Sequence, residues 1–272
     1  MRDILIPGCG YTGRRVASRL VEQGYRVIAT ARQPDSLRDL EGVRVLRLDV
    51  DDPDTLAVLS EATPEGCAVL DSVPVLPGPL DRTAALLSAL GARPARVVYL
   101  STTSVYGDQR DVNEHSQATP LTEASQLRVQ AEQLVMSGPW SSMVLRPAAI
   151  YGPGRGAHIS IPQGRFKLRG DGANYVSRIH VDDLADLAAS ALLSDATGAW
   201  PVADEEPARS RDVARFVCNL IGCPMPESAD VEELHETRRA DRRVDGGGVC
   251  RLLGVRLQYP TFREGIPAAI RG

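Results

Sequence analysis

Six residues near the N-terminus constrain this chain more than any other feature. Gly8-Cys9-Gly10-Tyr11-Thr12-Gly13 follows a short apolar run, Ile4-Leu5-Ile6, and precedes an amphipathic stretch carrying Val16, Leu20 and Val21. Three glycines at this spacing, between a strand and a helix, each have a physical task. Gly8 permits a tight turn, Gly10 lets a pyrophosphate approach the backbone, and Gly13 lets helix and strand pack closely. The helix start adds unpaired N–H groups and partial positive charge. The motif predicts a dinucleotide site on Gly8, Gly10, Tyr11, Thr12 and Gly13. Its plain alternative is a tight turn with no ligand.

The surrounding pattern predicts the fold that such a site needs. Apolar runs at 25–31, 43–48, 68–70, 96–100 and 143–145 read as further strands. Helical periodicity appears near 54–59, 80–90 and 121–136, and Gly24 is placed to end the first helix. Strands alternating with helices imply an α/β protein: a Rossmann, doubly wound parallel sheet covered on both faces. Beyond about residue 147 the regularity fails, and glycine and proline cluster at 152–172 before helices at 182–193 and 210–221. The expected organisation is an NAD(P)-binding domain over 1–150. A small C-terminal substrate lobe over 151–272 packs on it, with some segments returning to the sheet.

Composition excludes several classes. The net charge of −4 argues against a nucleic-acid partner, and no apolar run approaches the roughly 20 residues that span a bilayer. The first strand begins almost at once, which leaves no room for a signal peptide. Cysteines 9, 67, 218, 223 and 250 contain no CxxC pair and read as reduced thiols, with no metal site. A cytoplasmic protein is the expectation, with a small-molecule substrate and a homodimer left open. The chain has one lysine, Lys167.

The second strand ends in Ala29-Thr30-Ala31-Arg32, with no carboxylate before Asp35. Arg32 suits a 2′-phosphate, so NADP is favoured over NAD; the alternative is an ordinary surface arginine. Asp49 is a candidate acceptor for the adenine amine, or else belongs to the start of the next helix. Ser72 and Val73, in Asp71-Ser72-Val73-Pro74, are expected beside the nicotinamide.

Three further stretches extend the pattern: Ser101-Thr102-Thr103-Ser104-Val105-Tyr106-Gly107, Arg146-Pro147-Ala148-Ala149-Ile150-Tyr151-Gly152-Pro153-Gly154, and Ser177-Arg178-Ile179-His180-Val181-Asp182-Asp183-Leu184-Ala185. With the glycine turn and the segment 257–265, they resemble the extended short-chain dehydrogenase/reductases, the NAD(P)-dependent epimerase/dehydratase family. The resemblance implies hydride chemistry assisted by a Ser/Thr, a Tyr and a Lys. Thr102 matches the Ser/Thr, whose hydroxyl polarises a carbonyl; its plain alternative is a turn threonine bonded to local backbone.

The departure lies in the helix at 121–136. Aligning Arg128-Val-Gln-Ala-Glu132 with the family's lysine-containing helix puts Ala124 at the tyrosine and Arg128 at the lysine. Residues 108–150 hold no tyrosine that could replace it. Such tyrosine-less chains resemble the atypical members, and GxGxxG stands where extended members more often show GxxGxxG. Arg128 keeps a charge able to hold the nicotinamide ribose but does not titrate. The expected function is an NADP-dependent oxidoreductase or epimerase acting on a small polar metabolite, such as a nucleotide sugar. The alternative is a non-catalytic NADP(H)-binding sensor. His158 and His180 are candidate acids, His180 more naturally ordering a helix start. The run Arg238-Arg239-Ala-Asp-Arg242-Arg243 reads as a contact for an anionic substrate or as a solvated helix face.

Overall fold

The computed structural model describes residues 3–77, 81–234 and 239–272. Seven parallel strands form the central sheet: β1 (Asp3–Ile6), β2 (Arg26–Ala31), β3 (Val43–Arg47), β4 (Ala68–Asp71), β5 (Arg96–Leu100), β7 (Ser141–Pro147) and β12 (Gly198–Val202). Their order is β3-β2-β1-β4-β5-β7-β12. The order reverses at the β1/β4 boundary. The loops after β1 and β4 therefore flank the crevice in which doubly wound sheets hold ligands.

Both sheet faces are covered, so β4 and β5 are buried along their whole length. On one face α1 (Tyr11–Glu22) and α6 (Val181–Leu193) set Val16, Leu20, Leu184 and Ala188 against Ile4, Ile6, Val98 and Leu145. On the other, α2 (Pro53–Ala62), α3 (Arg82–Leu90) and α4 (Glu123–Met136) set Leu59, Leu86 and Val135 against Leu5, Val69 and Tyr99. Each fully buried side chain of this size contributes about 1.5–3 kcal/mol. The helix starts are locally encoded. Asp52 caps α2 ahead of Pro53, and Thr122 and Ser125 form a reciprocal capping box on α4. The helix expected over 80–90 is Arg82–Leu90, with Leu80 outside the described residues.

Residues after 150 do two jobs. They supply α6 and β12 to the sheet domain, and they build a lobe. Short ladders lace the lobe together: β6 (Asp111–Val112) with β15 (Arg243–Val244), β8 (Ala149–Tyr151) with β11 (Arg178–His180), β9 (Leu168–Arg169) with β14 (Ser228–Ala229), and β10 (Tyr175–Val176) with β13 (Ala208–Arg209). The helices there are α5 (Ala157–Ser160), α7 (Ser210–Ile221), α8 (Gly247–Leu253) and α9 (Phe262–Arg271). Tyr151, Val217, Phe262 and Ile266 form a second small core between α7, α9 and β8. Among the described residues no helix is long and apolar enough to cross a membrane.

Candidate active site

The glycine turn is locked on one side and open on the other. Gly8 has φ +68°, and a Cβ there would stand 3.0 Å from the Val73 backbone. The Gly8 amide donates to Thr30 Oγ1 at 3.2 Å, and Ser72 Oγ donates to the Gly8 carbonyl at 2.9 Å. A Cβ on Gly13 would meet Ile6 Cγ2 at 3.1 Å. Gly10 is different: a Cβ there finds only the Gly8 carbonyl oxygen, at 3.7 Å. Beside that space α1 begins with no side-chain cap and no acidic residue in its first turn. Its leading N–H groups therefore lack intrahelical acceptors at the positive end of the helix. Open space and uncapped donors together fit a pyrophosphate. Ser72 and Val73 meet the turn directly and brace it.

Tyr11 and Thr12 are the first two residues of α1. The Tyr11 hydroxyl donates to the Pro153 carbonyl at 3.0 Å, and its ring lies against the guanidinium groups of Arg15 and Arg155. Its side chain thus ties α1 to the loop after β8. Thr12 is buried.

At the end of β2, Arg32 is exposed. Sequence reasoning missed its neighbour Asp51, whose carboxyl is held below its usual range by a hydrogen bond from Arg82 and by the charges of Arg82 and Arg32. Arg82 pairs with both Asp51 oxygens, with Nε donating to Oδ1 at 3.0 Å. Asp49 is half-buried, and its Oδ1 accepts the Asp51 amide at 3.2 Å. Asp52, not Asp49, caps the following helix.

The chemistry expected after β5 rests on side chains. Thr102 caps the short turn Thr103–Tyr106, its Oγ1 accepting the Ser104 amide at 3.3 Å. That bond is the turn role the sequence allows, and it leaves the hydroxyl proton free to donate. On α4, Ala124 is exposed, and Arg128 is half-buried with Nη1 donating to Tyr99 OH at 3.4 Å. Tyr99 lies in register with Asp71 on the neighbouring strand. Burial pushes the Asp71 carboxyl up to about 7, against the opposing pull of the Val73 amide and Arg128. Lys167 is exposed beside β9 and supplies nothing to α4.

Beneath Thr102 lies a network that the sequence reading did not assemble. Glu132 on α4 and Arg146 on β7 are both buried and pair in two bonds, Nη2 to Oε2 at 2.6 Å and Nε to Oε1 at 3.0 Å. Ser101 Oγ donates to Glu132 Oε1 at 2.5 Å, and Arg146 Nη1 donates to Tyr106 OH at 3.1 Å. The loop carrying Thr102 is therefore fixed from below. Both residues stand in the quoted motifs, yet only the fold brings them together.

The remaining candidates take other roles. His180 caps α6, its Nδ1 accepting the Asp182 amide at 3.2 Å, and burial pushes its pKa down to about 4. Burial also lowers His158. Burial thus favours the neutral imidazole at both positions. In the arginine run, Arg238 lies outside the described residues. Arg242 is neither an anion contact nor a solvated residue. It is buried and donates to the carbonyls of Thr103 (2.7 Å), Gln109 (3.1 Å) and Gly107, clamping the loop after β5. Arg243 pairs with Asp111. A cavity of about 780 Å³ lined by Asp204, Gly246 and Cys250 contains none of the glycine-turn residues in its walls.

Comparison with known proteins agrees with this architecture. The family model for NAD(P)H-binding proteins matches residues 8–195, and the chain belongs to that family. It is 28% identical over 283 residues to protein YeeZ of Escherichia coli K12, covering 96% of this chain and 97% of YeeZ. It is 27% identical over 254 residues to a Streptomyces 3-diazoavenalumate denitrifying reductase, covering 88% of this chain and 80% of the reductase. Among solved structures, a conserved protein of unknown function from Silicibacter pomeroyi superposes with a TM-score of 0.82 at 31% identity, covering 100% of this chain and 99% of its own. A protein assigned as an NAD-dependent epimerase/dehydratase from Methylobacillus flagellatus gives 0.80 at 27% identity, with 99% and 98% covered. The chain is thus an NAD(P)H-binding protein with the fold of a protein assigned as an NAD-dependent epimerase/dehydratase.

Proposed function

We propose that this protein is an NADP-dependent reductase or epimerase that acts on the carbonyl of a small polar metabolite, with nucleotide sugars among the candidates. One observation carries the reading. Thr102 lies just after β5, two strands from the open glycine turn, with its oxygen fixed by an amide and its proton still available. Gly10 and the first turn of α1 would hold the pyrophosphate, and Arg32 the 2′-phosphate. Arg128, steadied by Tyr99, would stand at the nicotinamide ribose. The bound nicotinamide supplies or accepts hydride. Thr102 orients and polarises the carbonyl by donating its proton in a hydrogen bond, and the clamp of Arg242 and the Glu132–Arg146 pair hold it still. Ala124 has no proton to give, so protonation falls to water or to the substrate's own groups.

The named reductase among the relatives supports a reduction, and the exposed Ala124 favours a second reading as an NADP(H) sensor. Turnover of NADPH with a panel of carbonyl compounds, together with chromatographic detection of epimerised sugar nucleotides, separates the two. Activity in the wild type that falls about 10²–10³-fold in Thr102→Ala, with cofactor affinity unchanged, is the expected result. An inert wild type that still binds NADPH overturns the enzyme reading and leaves the sensor.

A further inference from the structure

The C-terminal end of α7 carries two thiols that the proposed chemistry does not use. The helix stops at Gly222, which takes φ +70°, and the amides of Gly222 and Cys223 both donate to the Cys218 carbonyl, at 2.9 and 3.2 Å. In this kind of helix end the residue after the glycine folds back over the last turn, and an apolar contact commonly closes it. Here that contact joins two cysteines, whose sulfurs lie 3.5 Å apart. Both are free thiols. Cys218 is buried in the small core with Val217 and Phe262, while Cys223 is half-buried and reaches solvent. Cys9 and Cys67 lie in loops beside the sheet and Cys250 on α8, away from this helix end.

We propose that Cys218 and Cys223 form a reversible disulfide, a redox modification site whose oxidant is a peroxide. The Cys223 thiolate attacks one peroxide oxygen; the S–O bond forms, the O–O bond breaks, and water leaves after taking up a proton. Cys218 sulfur then attacks the resulting sulfenic sulfur. The S–S bond forms, the S–O bond breaks, and the departing hydroxide leaves as water with the Cys218 proton. Two thiols lose two electrons, and one peroxide becomes two waters.

The geometry suits the second step. The sulfurs must close to about 2.0 Å, a movement available to side-chain rotation because the two backbones are already hydrogen-bonded. Cys218 is buried and Cys223 reaches solvent, so Cys223 meets the peroxide first as the nucleophile and Cys218 is the resolving partner. The ring closed by the bridge is short, so it removes little chain entropy and stays readily reducible. Its effect is local: it fixes the last turn of the helix that packs on α5 and α9.

The test is independent of the functional reading. The full-length reduced protein is treated with hydrogen peroxide, denatured, alkylated and digested with trypsin. The expected result is that the five thiols fall by two. Peptide 216–238 then escapes alkylation and is lighter by two hydrogens, and dithiothreitol restores it. Cys218→Ser, or Cys218→Ala if the serine folds poorly, should leave Cys223 as a sulfenic acid that dimedone labels. The proposal is overturned if the wild type keeps five thiols at peroxide levels that oxidise Cys223 in the variant. It is overturned equally if the lost thiols map to other cysteines or to a bridge between chains.

Discussion

The two sides of the crevice are built from different materials. At the glycine turn the working parts are backbone: a positive φ at Gly8, open space at Gly10, and the uncapped start of α1. Around Thr102 and α4 they are side chains, held by the Glu132–Arg146 pair and the Arg242 clamp. A backbone site demands glycine at fixed positions and leaves its spacing in the sequence. A side-chain site is assembled from different elements, so its parts leave no such spacing.

The sharpest way to break this contrast is Gly10→Val. A branched side chain would fill the space left for the pyrophosphate, with little else to strike. NADPH binding should drop below detection by calorimetry while the melting temperature changes little. Unaltered binding would mean that the backbone side was misread. Next comes Glu132→Gln, which leaves the Arg146 charge buried without its partner and should cost about 3–5 kcal/mol in denaturant unfolding. A loss under about 1 kcal/mol would show that the side-chain frame is softer than its geometry implies.

A smaller effect is expected at the rim. Arg32→Ala should weaken NADPH binding about ten- to a hundredfold and leave NADH unchanged, the value of a charge-assisted bidentate contact of roughly 1.5–3 kcal/mol. Equal affinity of the wild type for both cofactors would sink the 2′-phosphate assignment. Asp51, held by Arg82, tempers this site, and Asp51→Asn should strengthen NADPH binding slightly.

The smallest effect is a slope with pH. Burial raises Asp204 to about 8 and Asp71 to about 7, so folding favours their protonated forms. The folded state then binds more protons than the unfolded chain, and stability falls as pH rises through those values. His180, depressed to about 4, acts oppositely, but its contribution is complete once the pH exceeds the unfolded imidazole value near 6.5. Between about pH 7 and 8 the decline belongs mainly to Asp204, with a ceiling of about 1.4 kcal/mol per pH unit. Asp204→Asn should flatten that segment of the unfolding free-energy curve; an unchanged slope would place the titration elsewhere.

Periodicity reveals what is long and locally consistent. The expected ranges 96–100 and 210–221 coincide with β5 and α7, because an apolar run and a strongly amphipathic helix each declare themselves within a few residues. β12 escapes that reading. It is an edge strand, half-exposed at its start and carrying Pro201, which only an edge position accommodates well. The two- and three-residue ladders of the lobe are too short to have a period. The Glu132–Arg146 pair and the Arg242 clamp join residues from different elements, so no local pattern encodes them. Asp51 beside Arg32 is of the same kind, since the end of β2 and the loop after β3 meet only across the sheet.

The placement of β12 and α6 bears on how the chain acquires its structure as it is made. A nascent chain ending near residue 150 would present β7 as a bare sheet edge, with a row of unpaired backbone groups. It would also lack α6, leaving Ile4, Ile6 and Val98 with only the α1 share of their cover. Such an intermediate is a template for pairing with other chains. The nucleotide-binding half cannot be harvested as a stable fragment by cutting where its sequence pattern ends. Its hydrophobic seal is closed by residues that emerge from the ribosome some fifty positions later.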